Sequence, residues 1–182
     1  MFLEQYIKKR LWFVVLAVML PLATAAQTIT PEEIRAQYII KIRPFVQLGN
    51  PPHSIREICY YEKPGVPENE SVGQLIAKYL RDHATKDISV KWFKAIRDFS
   101  GCDILFIPES EDSNIDNIIS ALDASEILTI SSAKKFIYRG GMIGFVLDDE
   151  NRVKMEANLK NTKAKNVKLR AEILELMPNV IN

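Results

Sequence analysis

The chain has 182 residues, 47% hydrophobic and 26% charged, with 24 basic residues against 23 acidic and a formal net charge of +1. With only 7 Gly, 9 Pro and 2 Cys, it is neither collagen-like nor disordered nor a cysteine-stapled mini-protein, and it is long enough to bury a core unaided. The lack of a basic excess argues against a nucleic-acid partner.

Lys8-Lys9-Arg10 precedes an unbroken apolar run from Leu11 to Leu20, and Ala23-Thr24-Ala25 follows as a small-x-small site. A basic start, a short apolar stretch and such a site are the parts of a secretory leader. The run is shorter than the about 20 residues that a membrane-crossing helix needs. We therefore expect residues 1–25 to be a cleaved signal peptide and 26–182 to be a single α/β domain, soluble and outside the cytoplasm. Without the leader the balance is 21 basic to 22 acidic residues. Export takes the chain away from ATP and reduced nicotinamide cofactors, and it permits disulfides.

Thr30-Pro31-Glu32-Glu33 is a helix start, with Thr30 as cap and Glu33 completing a capping box. Ile34, Tyr38, Ile42, Phe45 and Val46 recur at helical spacing, with Pro44 expected to kink the last turn. Gly49-Asn50-Pro51-Pro52 should close the element. Residues 55–61 read as a strand with Ile58 and Tyr60 on one face and Cys59 and Tyr61 on the other. Pro64-Gly65-Val66-Pro67 is a turn. Val72, Leu75, Ile76, Tyr79 and Leu80 mark a helix opening at Ser71. Ile88, Val90 and Trp92 alternate as a strand. Residues 102–107 are almost continuously apolar, as in a central strand covered on both faces. Ile115, Ile118, Ile119 and Leu122 mark another helix, and residues 126–131 another strand.

Beyond this point a short helical piece at 132–137 leads through Gly140-Gly141 to a strand at 142–147. A polar turn at 148–151 and a returning strand at 152–157 make an antiparallel hairpin. The tail holds residues 159–165 and a final helix near 170–177. Alternating strands and helices predict a mainly parallel, doubly wound sheet of flavodoxin or Rossmann type, ending in the hairpin and helix. An even cysteine count in an exported chain favours a Cys59–Cys102 bridge, since their strands are neighbours in the flavodoxin-like order. Two buried free thiols are the alternative.

The residues offer no catalytic constellation. The loop Glu62-Lys63-Pro64-Gly65-Val66-Pro67-Glu68-Asn69-Glu70 follows the first long strand, where a phosphate cradle would lie. Its prolines remove donors and its three glutamates repel phosphate, so no flavin or dinucleotide cofactor is expected. No GxGxxG, P-loop or GxSxG pattern occurs. His53 and His83 stand apart without metal-ligand spacing, and no metal site is expected. Glu109, Glu111 and Asp112, and the Asp148-Asp149-Glu150 turn, read as solvated turns. Asn69-Glu70-Ser71 is a lone glycosylation sequon. Lys160, Lys163, Lys165, Lys168 and Arg170 read as a solvated basic tail, with an acidic partner or anionic lipid as the alternative. These features predict a protein that is not an enzyme.

The order of motifs resembles the YfiR/HmsC family of periplasmic proteins. Ala36-Gln37-Tyr38-Ile39-Ile40-Lys41-Ile42 and Phe45-Val46 are similar to its opening helix. Ile58-Cys59-Tyr60-Tyr61 and Cys102-Asp103-Ile104-Leu105-Phe106-Ile107 are similar to two of its strands. Ile127-Leu128-Thr129-Ile130-Ser131, Phe136 and Gly140-Gly141-Met142-Ile143 are similar to its serine-to-glycine segment. Arg152-Val153-Lys154-Met155-Glu156-Ala157-Asn158-Leu159 resembles its most characteristic strand, with Val167-Lys168-Leu169 and Ile173-Leu174 following at the right distance.

The resemblance implies a regulator that binds and represses a membrane-bound diguanylate cyclase through that partner's periplasmic region. Release would raise cyclic di-GMP and promote biofilm. An outer-membrane lipoprotein is a second implied partner, and a homodimer stays open. An exported small-molecule sensor is the alternative, to be recognised by an apolar pocket with converging polar groups. For the partner surface, Tyr138 and Arg139 are the candidates, because aromatic and Arg side chains are enriched at interface hot spots. Phe136 beside them reads as a core anchor.

Overall fold

Thr30 opens the first described helix, α1 (Pro31–Lys41), by accepting the Glu33 N–H on Oγ1 at 3.2 Å while Glu33 Oε2 accepts the Thr30 N–H at 2.9 Å. The computed structural model describes residues 29–61, 71–83, 85–93, 99–123 and 125–182. The leader, the Pro64–Pro67 turn with its acidic loop, and Asn69 and Glu70 of the sequon lie outside these. Pro44 does more than kink α1. It lacks an N–H and restricts Arg43, so the helix stops at Lys41 and a 3-10 turn (Arg43–Phe45) follows. Phe45 therefore lies in that turn. Val46 belongs instead to β1 (Val46–Leu48), paired antiparallel with β8 (Val167–Leu169) in register Val46↔Leu169.

The main sheet contains β2 (Glu57–Tyr61), β3 (Ser89–Phe93), β4 (Ile104–Ile107), β5 (Leu128–Ser131), β6 (Ile143–Leu147), β7 (Val153–Asn158) and β9 (Asn179–Ile181). Their order is β3-β2-β4-β5-β6-β7-β9. The first five are mutually parallel, in the flavodoxin-like order. β7 returns antiparallel to β6 as the expected hairpin, and β9 lies parallel to β7. All four residues of β4 are 0% exposed, because the strand is covered on both faces.

The two faces of β2 separate as its alternation requires. Ile58 and Tyr60 join the core under α1 and α2 (Val72–Asp82), together with Ile104, Phe106, Ile143 and Phe145. Cys59 and Tyr61 join the opposite core with Leu105 and Ile107, under α3 (Ile115–Ala121). Ser71 caps α2 by accepting the Gln74 N–H. Cys59 and Cys102 are bridged, with Cα atoms 5.7 Å apart. The bridge avoids the awkward geometry of register partners in parallel strands. Cys59 lies opposite Leu105, while Cys102 sits in the turn before β4, its N–H bonded to the Phe99 carbonyl.

Three tail elements differ from expectation. The final helix is only α5 (Ala171–Leu174), after α4 (Leu159–Ala164). Val167–Leu169 and Asn179–Ile181 are strands, too short for alternation to reveal. The expected helix at 132–137 is instead a 3-10 turn, Phe136–Arg139.

Candidate partner-binding site

The loop from β5 to β6 leaves the carboxyl end of the parallel sheet, where doubly wound domains place their binding residues. Side chains pin its course. Ser131 Oγ donates to the Ile107 carbonyl at 2.7 Å and accepts the Ala133 N–H at 2.9 Å. Thr129 Oγ1 accepts the Met142 N–H, and Asn158 Nδ2 donates to the Ile137 carbonyl at 2.8 Å. The 3-10 turn lies between two left-handed residues, Lys135 at φ 54° and Gly140 at φ 95°. A Cβ at Gly141 would overlap the Phe136 ring. Phe136 and Ile137 are both 0% exposed, so Phe136 is the core anchor and the glycines let the chain turn tightly over it.

From this anchor the two candidates diverge. Tyr138 is 63% exposed. Its hydroxyl accepts from Asn179 Nδ2 at 3.0 Å, and the same amide donates to Glu156 Oε2 at 3.0 Å. Arg139 turns back onto the start of α3. Its Nε and Nη2 donate to the Asp116 carboxylate at 2.9 and 3.1 Å, Nη1 to Asp112 Oδ1 at 2.9 Å, and Nη2 also to the Asp112 carbonyl at 2.9 Å. Four of its five N–H donors are thus engaged within the chain. Arg139 therefore orients the loop, and Tyr138 is what the loop offers to solvent. Asp112, which the sequence offers only as part of a solvated acidic turn, is here an acceptor for Arg139; Asp116 and Asn179 carry no sequence signal, since no periodicity links them to residues 138 and 139.

The clamp is pH-sensitive in a defined direction. Arg139, chiefly through its hydrogen bond and then its charge, holds the Asp116 carboxyl below its ordinary 3.8, against an opposing desolvation. A carboxyl depressed in the folded state gives stability that is complete above its unfolded value and is lost as pH falls through the folded one. We expect Arg139→Ala to lower the unfolding midpoint slightly, because the pair is exposed. The gap between wild type and variant should be constant above the ordinary carboxylate range and should narrow as the pH falls below it, closing once the depressed Asp116 carboxyl is itself protonated. A gap unchanged at lower pH in parallel melts would show that the clamp contributes nothing through charge.

Other residues highlighted by the sequence have local roles. Glu111 is not solvated: its N–H bonds the Pro108 carbonyl, folding the 3-10 turn Glu109–Asn114 inward and leaving the residue 3% exposed. Burial, and next the Glu111 charge, push the Tyr61 phenol up. Asp148 accepts the Glu150 and Arg152 N–H groups, so its turn is solvated and self-bonded. His53 Nε2 pairs with Asp103 Oδ1 at 3.2 Å, and His83 stacks on Tyr79. Lys165 does not belong to a free basic tail, because its ammonium donates to the Leu122 and Asp123 carbonyls after α3. Lys160, Lys163, Lys168 and Arg170 are exposed. Among the described residues, no group of three His, Cys, Asp or Glu side chains could hold a metal ion, and no helix is long and apolar enough to cross a membrane.

The fold and this loop define a doubly wound α/β domain with an exposed aromatic on an anchored loop. The YfiR/HmsC-like family profile matches residues 32–177. The chain belongs to the YfiR/HmsC-like family, whose members are periplasmic, non-catalytic regulators of cyclic di-GMP signalling. Among solved structures, it is similar to a conserved domain protein from Vibrio cholerae O1 biovar eltor, at 13% identity and a TM-score of 0.64. It is also similar to the ABC domain crystallised in complex with L-Trp from Streptococcus pneumonia, at 13% identity and a TM-score of 0.55. Each match covers 83% of this chain and 60% of the other, so this chain spans 60% of the length of those it matches. At such identity they show the fold alone. No curated protein matches the chain.

Proposed function

We propose that this protein is delivered to the periplasm by its leader and there binds and restrains the periplasmic region of a membrane diguanylate cyclase. Family membership supports the regulatory role, and one observation carries the contact: Tyr138, an exposed aromatic, stands on a loop whose neighbours Phe136 and Ile137 are wholly buried. An aromatic held in place before binding loses little entropy on complex formation. An outer-membrane lipoprotein that competes for the protein would relieve the restraint.

Deleting the gene should raise intracellular cyclic di-GMP and biofilm, and an exported copy should reverse both. A copy lacking residues 1–25 should fail to rescue. Tyr138→Ala should weaken rescue with an unchanged melting midpoint, whereas Arg139→Ala should act less strongly, through the loop alone. Unaltered cyclic di-GMP in the deletion strain would refute the regulatory role.

A further inference from the structure

β3 is the terminal strand of the main sheet, bonded to β2 on one side and, among the described residues, to no strand on the other. The Ser89 N–H donates to the Arg56 carbonyl. The backbone groups of Ser89 and Lys91 thus point at β2, and by alternation those of Val90 and Trp92 point away from the sheet. Such an edge is a template for another strand, and proteins commonly block it with charged side chains, Lys above all. Here the blocking is weak. Lys91 Nζ lies 3.4 Å from Glu57 Oε2, and Ser89 Oγ donates to the same carboxylate, so both side chains are drawn back over β2.

On the opposite face of the sheet, β3 and α2 leave a groove of about 400 Å³, bordered by Ala77, Leu80, Arg81, Lys86, Val90 and Trp92. Trp92 is 42% exposed there. The charged residues of the groove, Arg81 and Lys86, are both basic.

We propose that the free edge of β3 is a docking site for an extended acidic segment of a protein partner, which joins the sheet as a further strand. The inference rests on the reading of this chain as a partner-binding regulator. The added strand pairs with the outward backbone groups of Val90 and Trp92, and alternate side chains enter the groove over Leu80 and Trp92. Carboxylates on that strand lie beside Arg81 and Lys86, complementing their charge. A second copy of this chain is a poorer occupant. Antiparallel pairing with it brings two basic grooves together, each carrying Arg81 and Lys86.

The test uses the full chain and a fluorescein-labelled heptapeptide, Glu-Thr-Val-Thr-Val-Thr-Glu, whose Glu and Val side chains share one face of the strand. Anisotropy should show saturable binding, reduced at least about tenfold when Lys replaces Glu in the peptide. N-methylating one alternate set of peptide amides should abolish binding, and methylating the other set should not. Hydrogen exchange should slow at the Val90 and Trp92 amides and stay unchanged at Lys91, which already faces β2. Val90→Pro removes an outward donor without touching the β2 ladder, so it should keep the fold and lose the probe. Should that variant not fold, Arg81→Glu with Lys86→Glu should weaken binding while leaving the edge intact.

Binding indifferent to N-methylation, or unprotected Val90 and Trp92 amides, would overturn the proposal. So would a doubled mass in light scattering that Arg81→Glu with Lys86→Glu or Val90→Pro alters, since the edge would then belong to a second copy. These outcomes leave the cyclic di-GMP phenotype of the deletion strain untouched, so the docking site can fail while the regulatory role stands.

Discussion

Replacing Cys59 and Cys102 together with alanine should lower the melting midpoint by about 8–16 °C in a chain of this size. The bridge joins residues 43 positions apart. On the chain-entropy account, closing a loop of that length is worth about 4 kcal/mol, because the cross-link removes freedom from the unfolded chain. Both cysteines are buried, at 0% and 7% exposure, beside Tyr61, Phe99 and Leu105. Reductant should therefore act slowly on the folded protein and quickly once it unfolds. Melts of the oxidised protein and the double variant measure the effect. A midpoint within about 2 °C of wild type would mean that the unfolded chain is already compact across this loop.

Phe136→Ala should cost about 3–5 kcal/mol in urea unfolding, the range for emptying a fully buried aromatic site. The ring is wholly enclosed and lies against Gly141, so the surroundings have little means of closing over the void. Tyr138→Ala, two positions on, should stay within about 0.5 kcal/mol of wild type, since it removes only a surface side chain and one exposed hydrogen bond. Equal costs at the two positions would refute the division between a residue that holds the loop and one that the loop displays.

Adjacent residues in this loop also show where sequence reading stops. Phe136 as anchor and the glycines as a turn follow from residue chemistry, and the structure agrees. Tyr138 and Arg139, by contrast, look equivalent in sequence. The backbone separates them, through left-handed conformations at Lys135 and Gly140 and acceptors on α3 that are distant along the chain. The long periodic elements are legible because burial imposes their spacing: the helix capped by Thr30, the helix opening at Ser71, the two faces of β2, and the enclosed β4. β1, β8 and β9 are not. Three residues cannot display a period of two, and the partners that make them strands come from elsewhere in the chain. Helical spacing continues past Pro44 to Val46, which predicts a mere kink, yet backbone restriction outweighs spacing there.

The small β1–β8 sheet has a consequence for the order in which the protein is completed. β1 follows the first described helix, and β8 comes almost at the end of the chain. A polypeptide released N-terminus first cannot close this pairing until nearly all of it has emerged. Contacts of such long sequence separation slow folding, because the chain between them must be ordered before they form. β1 therefore stays without its partner strand until residues 167–169 have emerged, and the helix before it is held meanwhile by its packing on α2.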